Sequence, residues 1–295
     1  MSWPALWAAI FWGCSFIATK VALKELSPFT LLTLRFGIGG ILLLMAQSRK
    51  NRNFFKDFSG KDWLHIILLA IVGVSGHTLL QAYGLLYTTA IDTSWIVAGY
   101  PIFITIGARL FLGEVITVRK IGGIMLGFIG VSLVISKGEC SFSLLRSTST
   151  LGDLLILSSA FTWAAFTVGG RGFLSKFSPL ASITPIMILG FLTTLPFSGG
   201  IGGWNILFHL SISAWASVFF LGVFCSGLAF LFWYSALEKK ESSTIGAYLY
   251  LEPFVTVVGA YLFLGETIEW VTATGGIVTL LGVYLTTRTF SKKTN

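Results

Sequence analysis

Ten residues, GARLFLGEVI at 107–116, return as GAYLFLGETI at 259–268, with eight letters unchanged. The match is not local. At an offset of 151, Leu6, Ala9, Trp12, Ser27 and Pro28 meet Leu157, Ala160, Trp163, Ser178 and Pro179, and Lys20 meets Arg171. One inserted residue before the fourth span moves the offset to 152, where Pro101, Gly107, Glu114, Gly123 and Gly130 meet Pro253, Gly259, Glu266, Gly275 and Gly282. One half of the chain is therefore a copy of the other. Apolar runs fall at roughly 3–23, 29–47, 63–85, 93–112, 119–136, 152–174, 179–201, 213–236, 244–264 and 270–288. Each is long enough to cross a hydrocarbon core of about 30 Å as a helix. Five runs per copy is an odd number, so the second copy enters the bilayer upside down. Such inverted repeats mark many alternating-access transporters.

Composition supports a lipid-solvated chain. Hydrophobic residues make up 55% and charged residues 11% of the 295, with a mean hydropathy of +0.84, where water-soluble domains carry about 25% charged residues. The apolar runs are continuous, unlike the alternating strands of a membrane barrel. The fold class expected is an all-α integral membrane protein with ten transmembrane helices in two inverted five-helix repeats. The first repeat covers 1–136, a linker 137–151, the second repeat 152–288 and a cytoplasmic tail 289–295. The first run lacks a cleavage-like site and reads as a true helix.

The net charge of +8 does not indicate a nucleic-acid partner, because of where it sits. Fourteen Lys and Arg fall on the side of the termini, from Arg49 to Lys293 and including Arg52 and Arg288, against Lys20, Lys24, Lys137 and Arg146 opposite. This positive-inside bias puts both termini in the cytoplasm, at the cell (inner) membrane. Arg119 and Lys120 follow the first ten-residue tag closely; no Lys or Arg lies between Lys240 and Arg288 around the second. The tags thus face opposite sides. Cys14, Cys140 and Cys225 have no ligand spacing and read as filler. Loops are mostly too short for a catalytic domain. The basic loop 48–62 is expected to hold orientation against anionic headgroups.

Taken together, Trp12 to Ser15, Arg35–Phe36, Pro101 followed by Leu-Gly-Glu at 112–114, and Leu-Glu-Pro at 251–253 followed by Leu-Gly-Glu at 264–266 resemble the drug/metabolite transporter superfamily, and within it the ten-helix EamA-type branch. The resemblance covers essentially the whole chain. It implies two inverted five-helix units around a central cavity, and export of amino acids or related metabolites. One departure is Ala164 where the first unit has Gly13, which predicts unequal packing of the two first helices.

Glu252 is the first candidate for substrate binding. A carboxyl near mid-span is costly enough to be functional by default. Pro253 removes a donor and predicts a kink that bares the carbonyl of Leu249; Pro101 predicts the same kink in the first unit. The carboxyl would bind a substrate amine when charged, or carry a coupling proton. Tyr100 is its repeat partner, and Tyr248 lies one helical turn before it; both are predicted to line the site. His77 and Gln81, one turn apart, predict a polar face turned away from lipid. Trp12, Trp163 and Trp233 either present aromatic faces to a flat or cationic substrate or fill space between helices. Lys20 and Arg171 either snorkel or form a pair of gate charges, one per entrance. Arg35, about two turns below the outer surface, wants a partner yet can reach headgroups, and Arg109 snorkels at the cytoplasmic end. Glu114 and Glu266 read as boundary residues after a glycine helix stop, and Gly123 and Gly127 as a close-packing motif toward another helix of the same chain. No metal site is expected, since nothing keeps ligand spacing with His77, and no cofactor.

Three function classes remain. A secondary transporter of small metabolites is favoured; no GxxxxGK[ST] loop is present, so a gradient must drive it. A channel or lipid translocase is compatible with the inverted repeat. An intramembrane enzyme fits least, with neither HExxH nor GxSxG in the chain. Substrate identity, coupling ion and oligomeric state are open at this level.

Overall fold

A computed structural model describes residues 2–51, 53–113, 116–138, 148–199 and 203–287. Arg52, Glu114, Cys140, Arg146 and Arg288, with most of the 137–151 linker and the 289–295 tail, lie outside the described residues. Among the described residues all regular structure is helical. Eight helices are long and apolar enough to cross a membrane, and two shorter apolar ones follow. In chain order they are α1 (Trp3–Ala22), α2 (Pro28–Lys50), α3 (Gly60–Tyr87), α4 (Ala90–Leu112), α5 (Val118–Ser136), α6 (Thr148–Phe173), α7 (Pro179–Phe197), α8 (Ile212–Lys239), α9 (242–264) and α10 (Trp270–Thr287).

Local chemistry explains the starts and stops. The Ser-Pro pairs at 27–28 and 178–179 cap α2 and α7: each serine hydroxyl accepts a hydrogen bond from the amide three residues on, and the proline stands in the first turn, where its missing N–H costs nothing. Gly113 and Gly265 end α4 and α9 in the left-handed region, at φ 71° and 66°, the conformation glycine adopts without strain.

Irregular winding is duplicated as well. Residues Leu69–Gly76 of α3 and Leu221–Leu228 of α8 are wound as π-helix, with termini 152 residues apart. The N-cap serines Ser59 and Ser211 keep the same spacing, so the one-residue insertion is already in force at the third helix. Both α4 and α9 are broken. Ala90–Val97 stops before a new helix begins at Tyr100, and Ser242–Gly246 passes through a 3-10 turn at Ala247–Tyr250 before Leu251–Leu264. The kinks expected at Pro101 and Pro253 are thus breaks: each proline sits in the first turn of a restarted helix, the cheapest place for it.

Packing follows a two-fold exchange of the halves. The contacts of α1 with α8 and α9 are mirrored by those of α6 with α3 and α4, those of α2 with α8 by those of α7 with α3, and α2–α7 and α5–α10 map onto themselves. The α5–α10 crossing shows the operation at atomic detail. A Cβ built on Gly130 would lie 2.6 Å from the Gly275 carbonyl oxygen, and one on Gly282 would lie 2.6 Å from that of Gly123. The partner of the Gly123 and Gly127 motif is a helix of the same chain.

Candidate functional site

Where the halves meet, a cavity is lined by seven of the ten helices: α1, α2, α3, α4, α6, α8 and α9 each contribute at least one side chain. Its volume is about 30 Å³, the space of a water molecule or so. Two charged side chains face it. Glu252, in the first turn of the restarted half of α9, is 2% exposed; Arg35, from α2, is 5% exposed.

Among the described residues neither charge is neutralised by the protein. Arg35 Nε donates to Ser226 Oγ at 2.9 Å, and its guanidinium lies 5.7 Å from the centre of the Phe36 ring. No carboxylate lies within 4.0 Å of it, and no protein donor holds the Glu252 carboxyl. Ser226 belongs to the π-wound stretch of α8, where Gly222 lets α2 approach: a Cβ there would sit 2.6 Å from Ile38 Cβ. The expectation that Arg35 reaches headgroups is therefore corrected. It points inward.

His77, Gln81 and Tyr100 form one polar wall. A carbonyl only accepts, so the 3.1 Å contact of His77 Nδ1 with the Ser159 oxygen fixes the proton on Nδ1. Gln81 Nε2 donates to the Tyr100 hydroxyl at 3.3 Å, which also meets the Ser159 hydroxyl. An aromatic wall adjoins it, with the His77 ring 4.9 Å from that of Trp163. Trp12 and Trp163 meet edge to face with ring centres 5.0 Å apart, and Phe230 stands 5.4 Å from Trp12. Trp12 Nε1 donates to the Cys225 carbonyl at 3.2 Å, whereas Nε1 of its repeat partner Trp163 is buried with no acceptor among the described residues.

Two residues expected in the site are elsewhere. Tyr248 does not line the cavity; its hydroxyl accepts from the Ser2 amide at 2.6 Å. The 3-10 winding of Ala247–Tyr250 is the cause, since residues three apart eclipse there and Leu249, not Tyr248, aligns with Glu252. Leu249, 1% exposed within that turn, lines the cavity one turn before Glu252. Trp233 is wholly buried behind the wall, 5.3 Å from Trp12 and 5.6 Å from Trp163. The residues missed are Ser15 and Phe16 of α1, Thr78, Val97 and Phe230. Ser15 stands in the Trp-Gly-Cys-Ser run and Thr78 beside His77; Phe230, one turn before Trp233, carried no signal of its own.

The end charges also differ from expectation. Lys20 does not snorkel; its Nζ pairs with Glu266 Oε1 at 2.9 Å. Glu266 is more than a boundary residue, because it also accepts the amides of Ala90 and Ile91. Arg171 is half-buried, with Nη1 lacking a hydrogen-bond partner among the described residues. Among the described residues no cluster of three His, Cys, Asp or Glu could hold a metal.

Comparison with known proteins completes the picture. The sequence profile of the EamA-like transporter family matches residues 3–136 and again 150–288. An uncharacterized transporter of Archaeoglobus fulgidus is 36% identical, over 94% of each chain. The uncharacterized transporter YyaM of Bacillus subtilis is 29% identical over 93% of this chain and 89% of its own. The chloroplastic WAT1-related protein At3g02690 of Arabidopsis thaliana is 27% identical over 97% of this chain and 69% of its own. One crystal structure of a protein shares the fold, with a TM-score of 0.69, 18% identity and 97% of each chain covered.

Proposed function

The chain belongs to the EamA-like transporter family of ten-helix membrane proteins, and from that premise we propose that it is a secondary active exporter of amino acids or similar zwitterionic metabolites. One observation carries the substrate class: a buried carboxyl and a buried guanidinium face one cavity, and among the described residues neither has an opposite charge within 4.0 Å. A buried charge left unpaired costs several kcal/mol. A solute bearing both an ammonium and a carboxylate satisfies both groups at once. The carboxylate takes the fork of Arg35, suited to bidentate binding, and the ammonium takes Glu252. The side chain of the solute packs on Trp12, Trp163 and Phe230, and His77, Gln81 and Tyr100 supply hydrogen bonds.

A cavity of about 30 Å³ cannot hold an amino acid, so helices must separate to admit one. Rocking of the two halves about the α5–α10 crossing does this while each half stays intact, the mechanism of alternating access. Glu252 alternates between the ammonium and a coupling proton. The termini lie in the cytoplasm of a cell-membrane protein, as the fourteen-to-four bias of Lys and Arg supports. Export direction rests on the family resemblance.

The test is efflux from proteoliposomes against a panel of amino acids, decarboxylated amines and deaminated acids, with and without a pH gradient. Zwitterions should move, and amines and acids should not; equal flux of amines would remove Arg35 from recognition. A second reading, lipid translocation, is favoured by an apolar groove of about 770 Å³ between α4, α5 and α6. Movement of labelled lipid in vesicles lacking amino acids would support it.

A further inference from the structure

The end of α9 holds a contact that the central cavity does not explain. Glu266 follows the helix stop at Gly265. Its Oε1 accepts from Lys20 Nζ at 2.9 Å and from the Ala90 amide at 3.1 Å, while Oε2 accepts from the Ile91 amide at 3.1 Å. One carboxylate, its side chain only 11% exposed, thus ties the last turn of α1 and the first turn of α4 to the end of α9. Open amides and the helix dipole both favour an anion there. These are three of the helices that line the cavity. Lys20 stands one turn beyond Phe16, and Ala90 two turns before Val97. The contact therefore caps one mouth of the cavity, and in the orientation proposed above that mouth faces outward.

Other bonds close the same end. The Thr88 hydroxyl donates to Asp153 at 2.5 Å, binding the α3–α4 turn to α6, and Lys137, after α5, pairs with Asp92 of α4 at 3.5 Å. The equivalent helix pairs are not equally close. A Cβ on Gly259 would lie 2.8 Å from Ile17, and one on Gly13 would lie 2.8 Å from Val255, so α1 and α9 are in tight contact. On Gly107, the repeat partner of Gly259, the nearest atom would be Val168 at 3.4 Å. There α4 and α6 line the 770 Å³ groove with Leu110, Phe111 and Phe161.

A different tie is present at both ends. Lys176 pairs with Asp62 beside the N-cap of α3, and Glu25, at the position equivalent to Lys176, accepts the Ser211 amide and hydroxyl at the N-cap of α8. Those contacts are common to both halves and cannot distinguish two states. The Lys20–Glu266–α4 contact lies at the mouth where α1 and α9 are in tight contact.

We propose that Lys20, Glu266 and the Ala90 and Ile91 amides form the latch of the outer mouth, broken each time the cavity opens outward. The latch rests on the alternating-access reading, and its test is separable from that of the substrate. A protein carrying Cys14→Ala, Cys140→Ser and Cys225→Ala receives one reporter, Ser15→Cys, in the cavity wall. The rate at which an impermeant methanethiosulfonate labels it from outside right-side-out vesicles measures opening. Glu266→Ala, which loses the ion pair and both amide bonds, should raise that rate about tenfold. Lys20→Gln, which keeps the amide bonds, should raise it less, and Glu266→Gln should fall between. A Lys20→Cys, Glu266→Cys pair joined by a bifunctional thiol reagent should lower the rate below that of the unjoined protein, with reversal on release.

Equal labelling in all four variants, with unchanged melting of the purified proteins, overturns the latch. So does a rise seen only with reagent on the cytoplasmic face. Failure of amino acids to protect Ser15→Cys would instead sink the substrate reading and leave the latch standing.

Discussion

Glu252 and Arg35 oppose each other chemically, and their substitutions should fail in different ways. Glu252→Gln keeps shape and hydrogen bonding but gives up the charge for an ammonium. Removing one member of a buried charge pair costs about 2–5 kcal/mol, so gradient-driven flux should fall by about 100-fold while the protein still elutes as a folded species. Normal flux would take Glu252 out of the mechanism. Arg35→Lys keeps the charge and loses the fork, so zwitterion affinity should drop about tenfold, read as a rise in the concentration for half-maximal uptake. An unchanged value would mean that the carboxylate of the substrate binds elsewhere. His77, Gln81 and Tyr100 were legible as polar or mid-span residues on apolar helices. Tyr248 was not legible correctly, because spacing of four presumes α winding and the chain there is wound as 3-10. Glu266 carried no signal either: its partners, Lys20 and the α4 amides, are 246 and about 175 residues away.

Among elements, α5 and α10 offer the sharpest contrast. Gly130 faces backbone and Thr279 of α10, with the Gly275 oxygen 2.6 Å from where a Cβ would be, whereas a Cβ on Gly122 would meet nothing within 4 Å. Gly130→Ala should destabilise by about 1–3 kcal/mol, the usual cost of overpacking. Gly122→Ala should be neutral or stabilising by about 0.4–1 kcal/mol. Denaturation in mixed micelles compares them, and equal losses would mean that the crossing is looser than described. The departure at Gly13 has the packing it predicts. Gly13 lies against Val255, while Ala164 at the equivalent position lines the groove. Neither π-wound stretch was foreseen, since hydropathy reads the same through both windings.

At the scale of the molecule, the question is the orientation of the halves. Thr117 and Glu269 are equivalent at 152, each just before a helix and each exposed. In a cysteine-free background, Thr117→Cys should react only with reagent on the cytoplasmic side and Glu269→Cys only from outside. Labelling of both from one face would end the inverted arrangement, and alternating access with it.

Hydrophobic run length, charge bias and internal likeness are properties of neighbouring residues or of simple alignment, so the chain alone determined that it is helical, membrane-embedded and duplicated. Cavity lining is a matter of helix phase and of contacts between residues far apart in the chain. Only the tertiary structure decided that Leu249 replaces Tyr248, that Arg35 turns inward to the cavity that Glu252 also lines, and that Glu266 joins three helices at one end. A π turn or a 3-10 turn rotates every later side chain, and no local pattern in the letters records that rotation.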